Sequence, residues 1–378
     1  MYGTNRPFNS LTAAWRALVA LLLLSGLSLA HAQPPRVVVS IAPLHSLVAG
    51  VMDGVGEPQL LIAANASPHA YSLRPSEARA LSRAELVIWV GEALENMLVQ
   101  PLHSLAGQAR VLSLAEAEGI WLLPLREGGV WDAHDHASHA SHGTEQAHGH
   151  QPHGRDHHGK GHDHAKKHDH EPHGHAKKHD HARHAHGKQH GEGHHDHSDH
   201  SAGHGEAVDA HLWLAPRNAG RIVALVADEL AALDPANAAR YHHNAEQMGK
   251  RITQLERALT EQLAPLQGRP YVVFHDAYRY FEDSFGLTPA GSITVSPEQS
   301  PGARRIREIR QTIAERGAEC VFSEPQFRPA IVKVVIEGSG ARAGELDPLG
   351  AAIPPGPDHW FDLMVALGQG LVGCMQSD

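Results

Sequence analysis

The stretch 131–206 carries 25 of the chain's 34 histidines, interleaved with Gly, Asp, Lys and Ala and almost without large apolar residues. Apolar burial is what offsets the entropy of ordering a chain, so a segment this polar cannot join a packed core. It is expected to be a disordered insertion when metal-free, dividing the chain into two folding stretches. Within it His164-Ala165-Lys166-Lys167-His168-Asp169-His170 returns as His175-Ala176-Lys177-Lys178-His179-Asp180-His181, which local duplication explains better than a folded repeat. Close sets such as His157 and His158, His168 and His170, His179 and His181, and His194, His195 and His197 let a flexible chain gather imidazoles around a metal. Because a histidine must be neutral to ligate, such sites should weaken as pH falls through about 6.5. Auxiliary metal scavenging or sensing is the reading we carry forward, with a solvated linker as the alternative.

Ahead of this tract, residues 1–32 read as a signal peptide. Arg6 and Arg16 precede the apolar run Ala17–Leu24, and Ala30-His31-Ala32 offers a small-x-small cleavage site. The run is shorter than the roughly 20 residues a spanning helix needs, so a periplasmic, non-spanning mature protein starting near Gln33 is expected. No cysteine follows the cleavage point, so no lipid anchor is expected either. The two cysteines, Cys320 and Cys374, are expected to pair in an oxidising compartment. Closing that loop would stabilise the fold by about 4 kcal/mol in the chain-entropy model. A net charge of −10, with no Lys/Arg cluster interleaved with aromatics, argues against a nucleic-acid partner.

The remaining sequence alternates strands and helices, the pattern of an α/β sheet. Strands are expected at Val37–Ile41, Leu60–Ile62 and Leu86–Val90, with edge strands at Val111-Leu112 and Trp121–Leu123. Helices are expected from Pro43 to Gly54 and from Pro75 to Ala84. We assign an N-terminal α/β domain to 33–130, interrupted by the tract at 131–206 and completed by 207–234. A long linking helix follows at 235–266, with Asp234 and Pro235 as its N-cap and N1 pair. A second α/β domain occupies 267–378, with strands at Tyr271–Phe274 and Cys320–Phe322 and helices over 302–316, 329–337 and 360–374.

Three histidines stand outside the tract where a site would be built. His69 lies in the turn-rich Ala66-Ser67-Pro68-His69-Ala70-Tyr71-Ser72, His211 in Asp209-Ala210-His211-Leu212-Trp213-Leu214, and His275 directly after Tyr271-Val272-Val273-Phe274. Each alone is more often an ordinary satisfied histidine, and their spacing cannot show that they converge. The motifs around them, together with Ser323-Glu324-Pro325-Gln326-Phe327 and Leu346-Asp347-Pro348-Leu349-Gly350, resemble in order those of the ZnuA family, the zinc-binding components of ABC importers. The resemblance spans nearly the whole mature chain. It implies two α/β domains joined by a rigid helix, with metal at their interface and delivery to a membrane permease driven by a cytoplasmic ATPase. A monomer is expected.

The resemblance further implies that His69, His211 and His275 ligate Zn²⁺, leaving a fourth tetrahedral position for water or a carboxylate. Manganese-binding relatives have Glu where His275 stands and use an Asp at the position of Asp347. Asp347 is therefore a candidate fourth ligand, with a structural turn role as the alternative. Some members carry Glu immediately before the first histidine, where this chain has Pro68. Glu324, Asp209 and Asp276 are candidate hydrogen-bond partners of the ligands. Three histidines with an open position also describe catalytic zinc; Glu324 is the nearest candidate for a general base, but ordering a loop or hydrogen-bonding a ligand is its favoured role, so a carrier is favoured over a hydrolase. A manganese or nickel carrier and a periplasmic zinc store remain alternatives.

Overall fold

The computed structural model describes residues 33–126, 131, 207–294, 300–327 and 330–376. The signal-peptide reading and the histidine-rich tract beyond Trp131 lie outside the described residues. The N-terminal lobe runs β1 (Val37–Val39), α1 (Ala42–Val51), β2 (Gln59–Leu60), α2 (Pro75–Arg83), β3 (Leu86–Trp89), a short α3 (Glu92–Glu95), α4 (Val99–Leu105) and β4 (Arg110–Ser113). All four strands are parallel in the order β2-β1-β3-β4. After the tract come α5 (Pro216–Leu233) and α6 (Ala238–Leu263). The second lobe follows with β5 (Tyr271–His275), α7 (Arg279–Phe285), β6 (Pro289–Thr294), α8 (Ala303–Arg316), β7 (Cys320–Ser323), α9 (Ala330–Ile336), β8 (Arg342–Glu345) and α10 (His359–Met375). Its parallel sheet has the order β6-β5-β7-β8, the same pattern as the first. The fold is thus two parallel-sheet α/β domains.

Parallel sheets are covered on both faces, and alternation along a strand decides which residue meets which cover. On β5, Tyr271 and Val273 join the large core that runs through α1, α5, α6 and α10. Val272 and Phe274 face the opposite way, into a smaller core with Ile309 and Ile313 of α8 and Val332 and Val335 of α9. His275 is the next residue in the first series, so the pleat turns it toward the large core and the N-terminal lobe.

Two helices, not one, brace the lobes. The 26 residues of α6 span roughly 40 Å at 1.5 Å per residue. The second brace is α10, which packs against α1 and α6. Trp360 N–H donates to Ser46 Oγ, and Ser46 Oγ in turn donates to the Pro357 carbonyl. A Cβ on Gly370 would stand 2.8 Å from the Glu345 carbonyl oxygen, so only glycine lets α10 lie this close to the end of β8. The disulfide Cys320–Cys374 ties the start of β7 to α10, with Cα atoms 6.3 Å apart.

Two local expectations differ from the structure. Trp121–Leu123 forms no strand, because its backbone bonds elsewhere: Trp121 N–H donates to Asn218 Oδ1 and Leu123 N–H to the Tyr280 hydroxyl. Asp234 precedes a 3-10 turn at Pro235–Asn237 but makes no side-chain cap; its Oδ2 accepts from Asn237 Nδ2 and Tyr241 Oη instead.

Candidate metal centre

Each histidine reaches the cleft between the lobes by a different route. His275 is the last residue of β5, a central strand, and ligands in open α/β sheets gather beyond such strand ends. His211 opens a 3-10 turn, Leu212–Leu214. The Asp209 carboxylate shapes this approach, Oδ1 accepting from both the His211 backbone N–H (2.9 Å) and Nδ1 (2.8 Å). His69 sits in the turns after β2, where its N–H donates to Ser67 Oγ. His211 and His275 are buried and His69 half-buried.

One ligand atom from each of the three rings lies within 4.8 Å of the others. The Nε2 atoms of His211 and His275 are 3.4 Å apart. Two nitrogens on one tetrahedral ion at about 2.0–2.1 Å would stand about 3.3–3.4 Å apart, so this pair already has the spacing of two zinc ligands. Their other nitrogens face carboxylates: Nδ1 of His211 to Asp209 Oδ1, and Nδ1 of His275 to Glu324 Oε1 at 2.6 Å. A carboxylate accepting from Nδ1–H fixes the tautomer and leaves the Nε2 lone pair for a metal.

Electrostatics point the same way. Asp209 and Glu324 are both buried, and among the described residues neither has an arginine or lysine partner. Burial pushes the Glu324 carboxyl well above the usual carboxylate range, against the pull of the His275 backbone N–H and of His211. A dication at the imidazoles would act in the opposite sense by favouring the ionised form. The walls around the rings are apolar: Trp213 lies 5.3 Å from His211, and Phe327 stacks on Phe274 with its ring 6.2 Å from His275.

The other two carboxylates singled out from the sequence stand elsewhere. Asp347 accepts from Gln326 Nε2 and from the backbone N–H groups of Leu349 and Ala351, and it is not among the residues whose ligand atoms converge. Asp276, next to His275, accepts from Arg126 Nη1 at 3.0 Å. Burial pushes its carboxyl up to about 7 against the pull of Arg126. Arg126 also meets Glu282 at 2.7 Å and stacks 4.6 Å over Trp131. It fastens the segment leading into the histidine-rich tract to the second lobe, and the sequence reading had not singled it out. Its one signal was a lone cation at the junction.

The profile of the family described as zinc-uptake complex component A, periplasmic (ZnuA) matches residues 37–374. The chain belongs to the ZnuA family. A high-affinity zinc uptake system protein ZnuA of Brucella abortus (strain 2308) is 43% identical over 90% of this chain and 91% of the relative. That of Yersinia pestis is 36% identical over 94% of this chain and 95% of its own length. Among solved structures, a crystal structure of ZnuA superposes with a TM-score of 0.64 at 22% identity, covering 90% of this chain and 99% of that one. A ZnuA deletion mutant lacking 138–173, with zinc bound, gives 0.63 at 21% identity, covering 91% and 99%. At these identities the structural likeness establishes the shared ZnuA fold, and the sequence relatives establish the family.

Proposed function

We propose that this chain captures Zn²⁺ in the periplasm with high affinity and hands it to an ABC-type importer, a permease with a cytoplasmic ATPase. The observation that carries the reading is the 3.4 Å Nε2 pair of His211 and His275, each ring backed by a buried carboxylate, with His69 completing the group. The curated relatives are named for zinc uptake. Three neutral nitrogens favour zinc over manganese, which prefers harder oxygen donors.

Carriage rather than hydrolysis follows from how the carboxylates are used. Asp209 and Glu324 each set one oxygen against the Nδ1 atom of a ligand ring, a use that orients the ring toward an ion. No helix among the described residues is long and apolar enough to cross a membrane; in this reading the carrier is exported behind a cleaved signal peptide and works as a monomer. The histidines of 131–206 serve as an auxiliary collector of metal.

A chelator-competition titration tests this. A variant lacking 134–204 should retain one tight zinc per chain, and His211→Ala in that background should abolish it. A shortened protein that takes zinc only at the strength of free imidazole would overturn the assignment.

A further inference from the structure

Three imidazoles leave one position open on a tetrahedral ion, and the structure contains a side chain arranged to define it. Gln326 follows the buried Glu324 by two residues and lines the cavity bounded by His69, His211 and His275. Its Nε2 donates to Asp347 Oδ1 at 2.7 Å, while its Oε1 is buried without a hydrogen-bond partner among the described residues. This orientation is dictated by chemistry: turning the amide over would set its carbonyl oxygen against the carboxylate, acceptor to acceptor. The carboxylate thus selects which end of Gln326 is left without a partner among the described residues, and that end is an acceptor.

Asp347 is held from three sides. Leu349 N–H and Gln326 Nε2 share Oδ1, and Ala351 N–H donates to Oδ2. The two backbone donors make a turn that any aspartate in this position would make. The third comes from the wall of the metal cavity. A buried carbonyl oxygen without a donor is a costly feature, and Gln326 lines the metal cavity, from which a donor could be supplied. Water bound to a zinc ion is such a donor, its O–H groups polarised by the metal.

We propose that Gln326 determines the fourth position: its Oε1 accepts a hydrogen bond from a water on the bound zinc, while its Nε2 keeps Asp347 from reaching the ion. Gln326 is a positioning and specificity-determining residue, acting through that water and through Asp347. The ion then sees three neutral nitrogens and a neutral oxygen. Releasing Asp347 would add an anionic oxygen and raise the coordination number, both of which favour harder ions such as Mn²⁺. The inference rests on the zinc-capture reading above and deepens it by naming what separates this ion from its competitors.

The test uses the full chain loaded with one equivalent of metal. Gln326→Met keeps length and packing but has no amide, and Gln326→Ala removes the side chain. With Co²⁺ as probe, the wild type should show the intense visible bands of a four-coordinate ion. Both variants should lose several-fold in intensity as Asp347 joins, and their Mn²⁺ to Zn²⁺ affinity ratio should rise about tenfold, the scale of outer-partner substitutions. Adding Asp347→Asn to Gln326→Met should restore both readouts. Variants with the wild-type spectrum and ratio overturn the proposal, as does an equal weakening for all ions with an unchanged spectrum. Failure of the zinc-capture reading looks different, because the wild type itself would then not bind zinc through its histidines.

Discussion

The two sheets share one strand order, and each places a buried glutamate beyond the carboxyl ends of its two central strands, yet the two glutamates do different work. In the first lobe Glu95 accepts from the Ser40 hydroxyl beyond β1 and from Val90 N–H and Gly91 N–H beyond β3. All of its partners belong to its own lobe, and it ties two strand ends together. In the second lobe Glu324 follows β7 and accepts from Nδ1 of His275 at the end of β5. One anchor is closed on backbone and serine, and the other is open toward a ring whose far nitrogen faces the cleft. The same topological crevice thus serves as a brace in one lobe and as the back wall of the proposed metal centre in the other.

The sharpest way to break this contrast is at the rings themselves. His275→Ala removes the one imidazole the second sheet contributes at a strand end. Structural zinc sites with four ligands bind with about 10–16 kcal/mol, or roughly 3–4 kcal/mol per ligand, so zinc affinity should fall about 100-fold or more. Competition against a chromophoric chelator measures it. An affinity close to wild type would move the centre away from β5 and remove the difference between the lobes.

Glu95 gives the next largest effect, in stability rather than in binding. Burial pushes its carboxyl up to about 7, against the pull of Ser40, Gly91 and Val90. Between the ordinary glutamate range and pH 7 the folded protein therefore holds a proton that the unfolded chain has released. Stability contributed by this group then falls as pH rises from about 4.5 to about 7, by up to about 3 kcal/mol, and is flat above. Urea unfolding of the metal-free chain across that window, compared with Glu95→Gln, should show a steeper fall in the wild type than in the variant, which keeps the contributions of Asp276 and Glu324. Zinc affinity should stay within about twofold of wild type, because Glu95 touches no imidazole. An identical slope in both proteins would remove Glu95 as the titrating brace.

How much of this was legible in the sequence depended on what each segment buries. The strands Val37–Val39, Leu86–Trp89 and Tyr271–His275 announce themselves because both of their faces are covered, which demands runs of β-branched and aromatic residues. The strand Pro289–Thr294, with Ala290, Gly291 and Ser292 at its centre and a register shift where it meets β5, carries no such run. Arg342–Glu345 is an edge strand of mostly exposed residues, and edges need little apolar surface. Trp121–Leu123 shows the opposite error: it is apolar because it packs beside Tyr280 and α5, and its amides go to side chains instead of a ladder. The convergence of His69, His211 and His275 could not be read from spacing at all, since three distant segments meet only through tertiary packing. The motif resemblance carried that step. The link between Gln326 and Asp347 joins the motifs Ser323–Phe327 and Leu346–Gly350, and neither motif alone implies it.

The smallest and most discriminating change is at Glu324. Glutamine in its place keeps an acceptor for Nδ1 of His275 and nearly the same volume, so geometry is preserved while the charge is lost. A carboxylate behind a ligating imidazole raises the basicity of the ring, and loss of such a partner costs about 10- to 100-fold in metal affinity. Because the hydrogen bond survives in Glu324→Gln, we expect the lower end, about tenfold, in the same chelator competition that leaves Glu95→Gln unchanged. If Glu324→Gln also binds zinc like the wild type, the charge behind His275 is immaterial and the two glutamates are equivalent braces. If it loses more than the alanine substitution at His275, Glu324 must hold up more of the cleft than one ring. A tenfold loss between those limits is what separates a carboxylate that tunes a ligand from one that only holds two strands together.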